Sequence, residues 1–274
     1  MKKFILAFTV LVLSVSCSDK PFVIVQVADA QLGFDAAIKG QEPGAVYVND
    51  LTYEAELLRK AVDAVNALSP DAVVFTGDQV NLVDNQEQWD LFTEIVSGID
   101  KDVDCLHIPG NHDVFFREGG VDCAQFAARF GSDRFVFDRG NVRLVGINSN
   151  LIKYDDPSES EHFDWMKDVL TEGPAEQVKI VFTHHPFFLA DIDEEDSYFP
   201  VQRVKRKTYF DLFSEAGVDA VYAGHLHDSS EGEYAGVPMK TTTSAAYQIG
   251  KSRPSLRVIT VEGGVVSDRL LELE

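Results

Sequence analysis

The feature that most constrains this chain is a series of short apolar runs, each followed by a polar residue suited to metal binding or proton transfer. The runs at 22–27, 72–75, 105–109, 178–182 and 218–222 have the length of single β-strands. A short buried strand that ends in a polar turn is where α/β proteins place their functional residues. The pattern therefore predicts strand ends that meet in one cleft.

Helical spacing between the first two runs indicates how these strands connect. Leu51 to Leu68 has apolar residues on one helical face and ends at Ser69-Pro70. A strand, a helix and a second strand form a βαβ unit, so the first strands are expected to be parallel. Further helices are expected at 86–97, 121–130, 162–170 and 204–216. The last predicted strands, expected to form a meander in a second sheet, lie near 232–234, 239–243, 256–261 and 265–271.

The N-terminus has the pattern of an export signal. A basic start, Met1-Lys2-Lys3, precedes the apolar run Phe4–Val15, which is too short to span a bilayer. The segment Leu13-Ser14-Val15-Ser16-Cys17 resembles the lipobox of bacterial lipoproteins, in which the cysteine is acylated, and a plain signal peptide is the alternative. We expect a membrane-anchored lipoprotein of a bacterial cell envelope. Its expected parts are a signal peptide at 1–16, a short lipidated N-terminus at 17–20 and one domain at 21–274.

Charge argues against nucleic acid as a partner. The formal net charge is −21, and loss of Lys2 and Lys3 with the signal peptide leaves 22 basic and 45 acidic residues, or −23. Such a chain repels polyanions at long range. An anionic substrate therefore needs a local positive charge, such as a metal ion.

The polar residues that follow the apolar runs form a mixed oxygen and imidazole set: Asp29, Gln31, Asp78, Asn111, His112, His184, His225 and His227. Carboxylate and amide oxygens suit Mn²⁺ or Mg²⁺, whereas imidazoles suit Zn²⁺ and iron, so the set favours a divalent or mixed-valence pair over Ca²⁺. There are too many ligands for one ion. Two ions about 3.5 to 4 Å apart would clamp the attacking and leaving oxygens of a displacement at phosphorus.

Five blocks of this sequence together resemble the ordered motifs of calcineurin-like metallophosphoesterases. They are Asp29-x-Gln31, Gly77-Asp78, Gly110-Asn111-His112-Asp113, His184-x-Pro186 and Gly224-His225-x-His227. The segment from Ala216 to His227, followed by Ser244-Ala245-Ala246, further resembles the subgroup that contains calcineurin-like phosphoesterase domain-containing protein 1, a Ser/Thr protein phosphatase. The resemblance implies a four-layer α/β/β/α sandwich of two mixed sheets.

The resemblance also implies roles for the metal ligands. Asp78 would bridge two ions of Mn, Fe or Zn, with Asp29 and His227 on the first ion. The ligands of the second ion would be Asn111, His184 and His225. The family usually has Asp-x-His in its first block, so Gln31 is a departure, and it would be a weaker neutral ligand of the first ion. Alternatively, Gln31 contacts only protein or solvent.

His112 would be the catalytic acid, and Asp113 would orient its ring and raise its pKa. A metal-bridging hydroxide would be the nucleophile on a phosphate-ester substrate, most simply a phosphomonoester. Two alternatives remain open: a phosphodiesterase or nucleotidase that uses the same site, and a catalytically silent lipoprotein that binds a phosphorylated or glycan ligand.

Five other residues are expected to have structural roles. His185 is expected to point to the other side of the chain from His184, and the alternative is a role in supporting the metal ligands or contacting substrate. His107 is expected to be a hydrogen-bonded core residue, and His162 a surface or capping residue. Cys105 and Cys123 are expected to be buried free thiols, although they could pair in an oxidising compartment.

Overall fold

The computed structural model describes residues 20–273. The predicted signal peptide and Cys17 lie outside the described residues. Within that range, none of the helices combines the length and the apolar character that crossing a bilayer requires.

Strands and helices are numbered along the described chain. The strands are β1 (Phe22–Val27), β2 (Ala72–Thr76), β3 (Asp104–Ile108), β4 (Phe115–Arg117), β5 (Gly120–Asp122), β6 (Phe135–Arg139), β7 (Val142–Gly146), β8 (Val178–Thr183), β9 (Ala220–Ala223), β10 (Ser230–Tyr234), β11 (Val237–Thr241), β12 (Ser255–Glu262) and β13 (Val265–Glu272). The helices are α1 (Phe34–Lys39), α2 (Thr52–Leu68), α3 (Gln86–Val96), α4 (Ala124–Phe130), α5 (Ser149–Lys153), α6 (Glu159–Thr171) and α7 (Arg203–Glu215).

Two mixed sheets contain most of these strands. The first sheet has the order β13-β12-β1-β2-β3, in which β1, β2 and β3 are parallel and β12 and β13 are antiparallel additions. The second has the order β10-β11-β9-β8-β7-β6, with antiparallel edge strands around a parallel centre. A small hairpin of β4 and β5 stands apart from both.

Successive side chains of the central strands point to opposite faces, so each sheet has packed apolar residues on both of its faces. On β1, Ile24 lies between the sheets, whereas Val25 packs in the layer that contains α2 and α3. On β8, Phe182 lies between the sheets, whereas Val181 packs with α6 and α7. The layers are thus helix, sheet, sheet and helix, which confirms the expected four-layer α/β/β/α sandwich.

The prediction for the C-terminal strands was wrong in part. β10 and β11 do join the second sheet, but β12 and β13 extend the first, where Ile259 pairs with Ile24. Alternating apolar residues indicate a strand without indicating which sheet edge it will join. The helix expected from residue 121 begins at Ala124, because Gly120–Asp122 form β5.

Two histidines lie in apolar surroundings. His162 is fully buried and stacks on Trp165 at 5.3 Å, so the prediction of a surface residue was wrong. His107 stacks against Phe75 and Phe130, and its buried Nδ1 lacks the expected hydrogen bond to any described residue. Burial lowers the pKa of each imidazole to about 3, so both rings are neutral at physiological pH.

Both described cysteines are free thiols, but they are less buried than expected. Cys105 is exposed, so the prediction of a buried thiol was wrong there; it lies on β3, the edge strand of the first sheet. Cys123 is half-buried and accepts a hydrogen bond from Asn148 Nδ2 at 3.2 Å.

Candidate metal centre

The candidate ligands lie in turns that follow parallel strands of both sheets. Because the sheets pack face to face, the carboxyl ends of these strands open into one cleft. In chain order, the turn after β1 carries Asp29 and Gln31, the turn after β2 carries Asp78, and the turn after β3 carries Asn111 and His112. The turn after β8 carries His184, and the turn after β9 carries His225 and His227.

Backbone strain is concentrated in these turns. Left-handed φ angles occur at Asp29 (52°), Gln31 (39°), Asp78 (51°), His225 (66°) and His227 (53°). Non-glycine residues seldom adopt this conformation, and only three others among residues 20–273 do so. Such strain typically persists at functional sites, where the surrounding contacts hold the residue in place.

One group of ligands converges on the imidazole of His184. Its Nε2 lies 3.1 Å from Asn111 Oδ1, 3.1 Å from His225 Nδ1 and 3.4 Å from Asp78 Oδ2. Burial opposes protonation of this fully buried ring, but the carboxylates of Asp78 and Asp29 raise its pKa to about 9. The oxygen and nitrogen atoms that surround the buried Nε2 of His184 therefore favour a positive charge at this position.

A second group is built on the buried carboxylate of Asp29. Its Oδ1 lies 3.5 Å from His227 Nε2, and its Oδ2 accepts a hydrogen bond from the backbone N–H of His225 at 2.9 Å. Ligand atoms of Asp29, Asp78 and His184 all lie within 4.8 Å of one another. The two groups therefore adjoin, and Asp78 lies close to members of both.

Backbone carbonyls orient three imidazoles of the site in the same way. In each ring Nδ1 contacts a carbonyl oxygen, which can only accept a hydrogen bond, so Nδ1 carries a proton and only Nε2 remains to bind a metal ion or to transfer a proton. The pairs are His184 with Thr76 at 2.9 Å, His227 with Tyr247 at 2.6 Å and His112 with Asn81 at 2.8 Å.

A buried polar atom without a partner indicates that the centre suits a cation. Gln31 is 1% exposed, and its Oε1 has no hydrogen-bond partner among the described residues. An unpaired buried acceptor is costly, and a metal ion would satisfy such atoms. The carboxylate, amide and imidazole donors present match those that bind divalent transition metals.

Glycines allow the turns to approach so closely. A Cβ atom on Gly110 would lie 2.0 Å from Asp78 Oδ1, and one on Gly224 would lie 2.7 Å from Asp29 Oδ2. Any larger residue at either position would therefore displace a candidate ligand.

The expected contact between Asp113 and the His112 ring is not present, so the predicted orienting role of Asp113 was wrong. Asp113 is fully buried, and its carboxylate accepts hydrogen bonds from the backbone N–H groups of Gln79 at 2.9 Å and Gly110 at 2.8 Å. It therefore ties together the turns that carry Asp78 and Asn111. Asn81, which follows β2, orients His112 instead.

His185 was expected to point away from the site, and the structure shows that this was wrong. Its ring lies 4.4 Å from that of His225, centroid to centroid, and its Nδ1 is 3.0 Å from Ser149 Oγ. Ligand atoms of His184, His185 and His225 also lie within 4.8 Å of one another. Burial, followed by the charges of its two histidine neighbours, lowers its pKa well below the usual range.

Most of the groups that position the ligands could not be identified from the sequence. Backbone carbonyls such as those of Thr76 and Tyr247 carry no residue-type signal. Ser244 does carry a sequence signal, because it belongs to the C-terminal segment that resembles the subgroup. Its hydroxyl donates a hydrogen bond to the carbonyl oxygen of Asp29 at 2.7 Å.

Residues 24–229 match the family model described as calcineurin-like phosphoesterase. The chain belongs to this family. This calcineurin-like phosphoesterase is 30% identical over 268 residues to "Serine/threonine-protein phosphatase CPPED1" of Mus musculus, covering 93% of this chain and 85% of that protein. It is 31% identical to the protein of the same name from Bos taurus, covering 93% of this chain and 84% of that protein. Family membership and these relatives make it a metal-dependent phosphoester hydrolase of the CPPED1-like subgroup.

Solved structures show the same fold. A purple acid phosphatase, PPD1, from yellow lupin superposes with a TM-score of 0.66 at 14% identity, covering 92% of this chain and 52% of that one. A dimetal phosphatase from Danio rerio gives a TM-score of 0.59 at 17% identity, covering 93% of this chain and 100% of that one.

Proposed function

We propose that this calcineurin-like phosphoesterase hydrolyses phosphomonoesters at a centre of two metal ions. The observation that carries the proposal is the convergence of Asn111, His225 and Asp78 on His184, next to the pair of Asp29 and His227. In this assignment Asp78 would hold both ions. The closeness of ligand atoms of Asp29, Asp78 and His184, all within 4.8 Å of one another, supports a paired centre.

Mn, Fe or Zn ions are the proposed occupants, with Gln31 as a weak additional ligand on the side of Asp29. Bound ions would neutralise charge on the phosphoryl group and activate the attacking water. This local positive charge would allow an anionic ester to bind to a chain of net charge −21.

His112 is the proposed general acid. Its Nδ1 proton is committed to the carbonyl of Asn81, so Nε2 is the atom that would deliver a proton to the leaving oxygen. The backbone N–H of His112 donates to Asp78 Oδ1 at 2.8 Å, which fixes the position of the ring relative to the metal ligands.

Two substitutions separate metal binding from proton transfer. Asp78→Asn should lose both metal and activity, because it removes the anion that faces both groups of ligands. His112→Ala should keep its metal content and lose about 10²- to 10⁴-fold in turnover of an unactivated monoester. Metal analysis and steady-state kinetics measure both effects. Asp102→Asn, an exposed site at the opposite end of β3, is the control. Full activity in His112→Ala would refute the assignment of the acid.

Monoester hydrolysis is favoured over diester hydrolysis because the relatives above are named protein phosphatases. A panel of phosphomonoesters, phosphodiesters and nucleotides tests this choice on the purified, metal-loaded chain. Turnover of diesters or nucleotides alone would establish the phosphodiesterase or nucleotidase alternative. Metal binding without turnover of any ester would establish the ligand-binding alternative.

We also propose that acylated Cys17 anchors the protein to a membrane of the bacterial cell envelope, since the lipobox-like segment precedes the phosphoesterase fold directly. One acyl chain gives only marginal membrane binding, so the anchor should carry two. Mass spectrometry of membrane-extracted protein should find a diacylated N-terminal Cys17. An unmodified N-terminus at a later residue would refute the anchor.

A further inference from the structure

An acidic segment without helix or strand, residues 191–202, lies over one side of the candidate metal centre. We call it the acidic strap; it connects the loop after β8 to α7. It contains Tyr198 and Phe199, whose ring centroids lie 5.4 Å and 5.7 Å from that of His225. The strap therefore places two aromatic rings against a candidate metal ligand.

Two cations hold the strap by its backbone. Arg206 on α7 is fully buried, and it donates to the carbonyls of Val201 at 2.9 Å and Glu194 at 2.7 Å. Lys153 at the end of α5 donates to the carbonyl of Pro200. These positive side chains thus point into the strap and fix its course, instead of facing the metal centre.

The aromatic residues of the strap have a counterpart at the end of α5. Tyr154 packs edge-on against His185, with ring centroids 5.6 Å apart. Tyr198 is 65% exposed and Tyr154 is 40% exposed, although the histidines that they contact are buried. The two tyrosines therefore reach from the buried His225 and His185 to solvent, and with Phe199 we call them the aromatic wall.

The position of this wall determines which part of a substrate it would meet. Asp29 and His184 close the inner side of the centre, because both are fully buried. A phosphate bound to the ions would therefore direct its ester group outward, and on the side of His225 that group would meet Tyr198. A ring joined to phosphorus through a single oxygen would be held next to the centre, and aromatic rings interact over centroid distances of about 4.5 to 7 Å.

We propose that Tyr198, supported by Phe199 and Tyr154, binds an aromatic leaving group, so that the preferred substrates are aryl phosphate monoesters. This inference rests on the proposed phosphomonoesterase function and names its substrate class. Ring contacts of this kind correspond to a preference of about 3- to 10-fold over an alkyl group of similar size.

Binding of two phosphonates that cannot be hydrolysed tests the wall without the influence of leaving-group acidity. Benzylphosphonate has a methylene in place of the ester oxygen of an aryl phosphate, and cyclohexylmethylphosphonate, with the same number of carbons, is the alkyl match. Calorimetry on the purified, Mn²⁺-loaded chain should show about 3- to 10-fold tighter binding of benzylphosphonate. Tyr198→Ala should reduce this ratio to near one, because it removes the ring. Tyr198→Phe, the matched control, should keep the ratio.

A ratio that survives in Tyr198→Ala, or that Tyr198→Phe abolishes, would overturn the inference. The same preparations are assayed for turnover of phenyl phosphate and an alkyl phosphate. Turnover without a ring preference in binding would refute the aromatic wall alone. A ring preference without turnover of any ester would support the wall and refute the proposed function.

Discussion

Replacing Gly110 by alanine should disable the metal centre while leaving the fold intact. The added Cβ would lie 2.0 Å from Asp78 Oδ1 and 2.3 Å from the backbone nitrogen of Asp78, whereas real Cβ contacts are essentially never shorter than 3.0 Å. The carboxylate and the backbone of its turn would therefore have to move by about 1 Å, and a misplacement of that size can cost about 10²-fold in rate. Because Asp78 faces both groups of ligands, we expect metal content to fall together with turnover.

Gly119→Ala is the matched control, because an added Cβ at Gly119 meets nothing within 4 Å. Circular dichroism should show the same fold for both variants, and elemental analysis with kinetics on phenyl phosphate should distinguish them. If Gly110→Ala retains the wild-type metal content and turnover, the close approach to Asp78 does not serve a metal centre, and the assignment of Asp78 is wrong.

Three further predictions concern other parts of the chain. Gln31→His should lower the metal concentration for half-maximal activity and Gln31→Ala should raise it modestly, whereas no shift in either titration would show that Gln31 is not a ligand. His162 has a pKa of about 3 in the folded protein, against 6.5 for an ordinary histidine, so its neutral form stabilises the fold fully above pH 6.5 and this contribution is lost as the pH falls towards 3. At pH 5 this loss lowers the free energy of unfolding by about 2 kcal/mol. His162→Phe removes the titrating group, so in urea titrations its free energy of unfolding relative to the wild type should be about 2 kcal/mol higher at pH 5 than at pH 7.5. An equal difference at both pH values would contradict the burial argument. Arg206→Met should cost about 1 to 3 kcal/mol of stability and expose the acidic strap to proteolysis, because strap carbonyls lose their donor; an uncut strap would show that other contacts hold it.

Much of the site follows from residue type and spacing alone. Asp29, Asp78 and Asn111 each come directly after an apolar run, and the carboxyl ends of parallel strands in one sheet lie side by side. The turns after β8 and β9 carry His184 and His225 in the same manner. Because strand ends and ligand types are local properties, the motif blocks could be recognised from the sequence, and the family resemblance that they carry implied the four-layer fold.

Contacts between distant residues had to come from the tertiary structure. The Nδ1 atom of His184 contacts the carbonyl of Thr76, 108 positions earlier in the chain, and no spacing rule specifies that partner. Asp113 binds backbone N–H groups instead of the adjacent His112 because the turn after β2 lies against it.

The sequence also could not predict which sheet β12 joins or in which direction the His185 ring points. The alternation in β12 predicts a strand, but only the pairing of Ile259 with Ile24 places it in the first sheet. His185 was expected to point away from its neighbour, yet packing against Ser149 and His225 turns its ring into the site. The sequence by itself determined which residues could form a metal centre. Packing of the two sheets decided which atoms face one another, because hydrogen bonds and close contacts form between segments far apart in the chain.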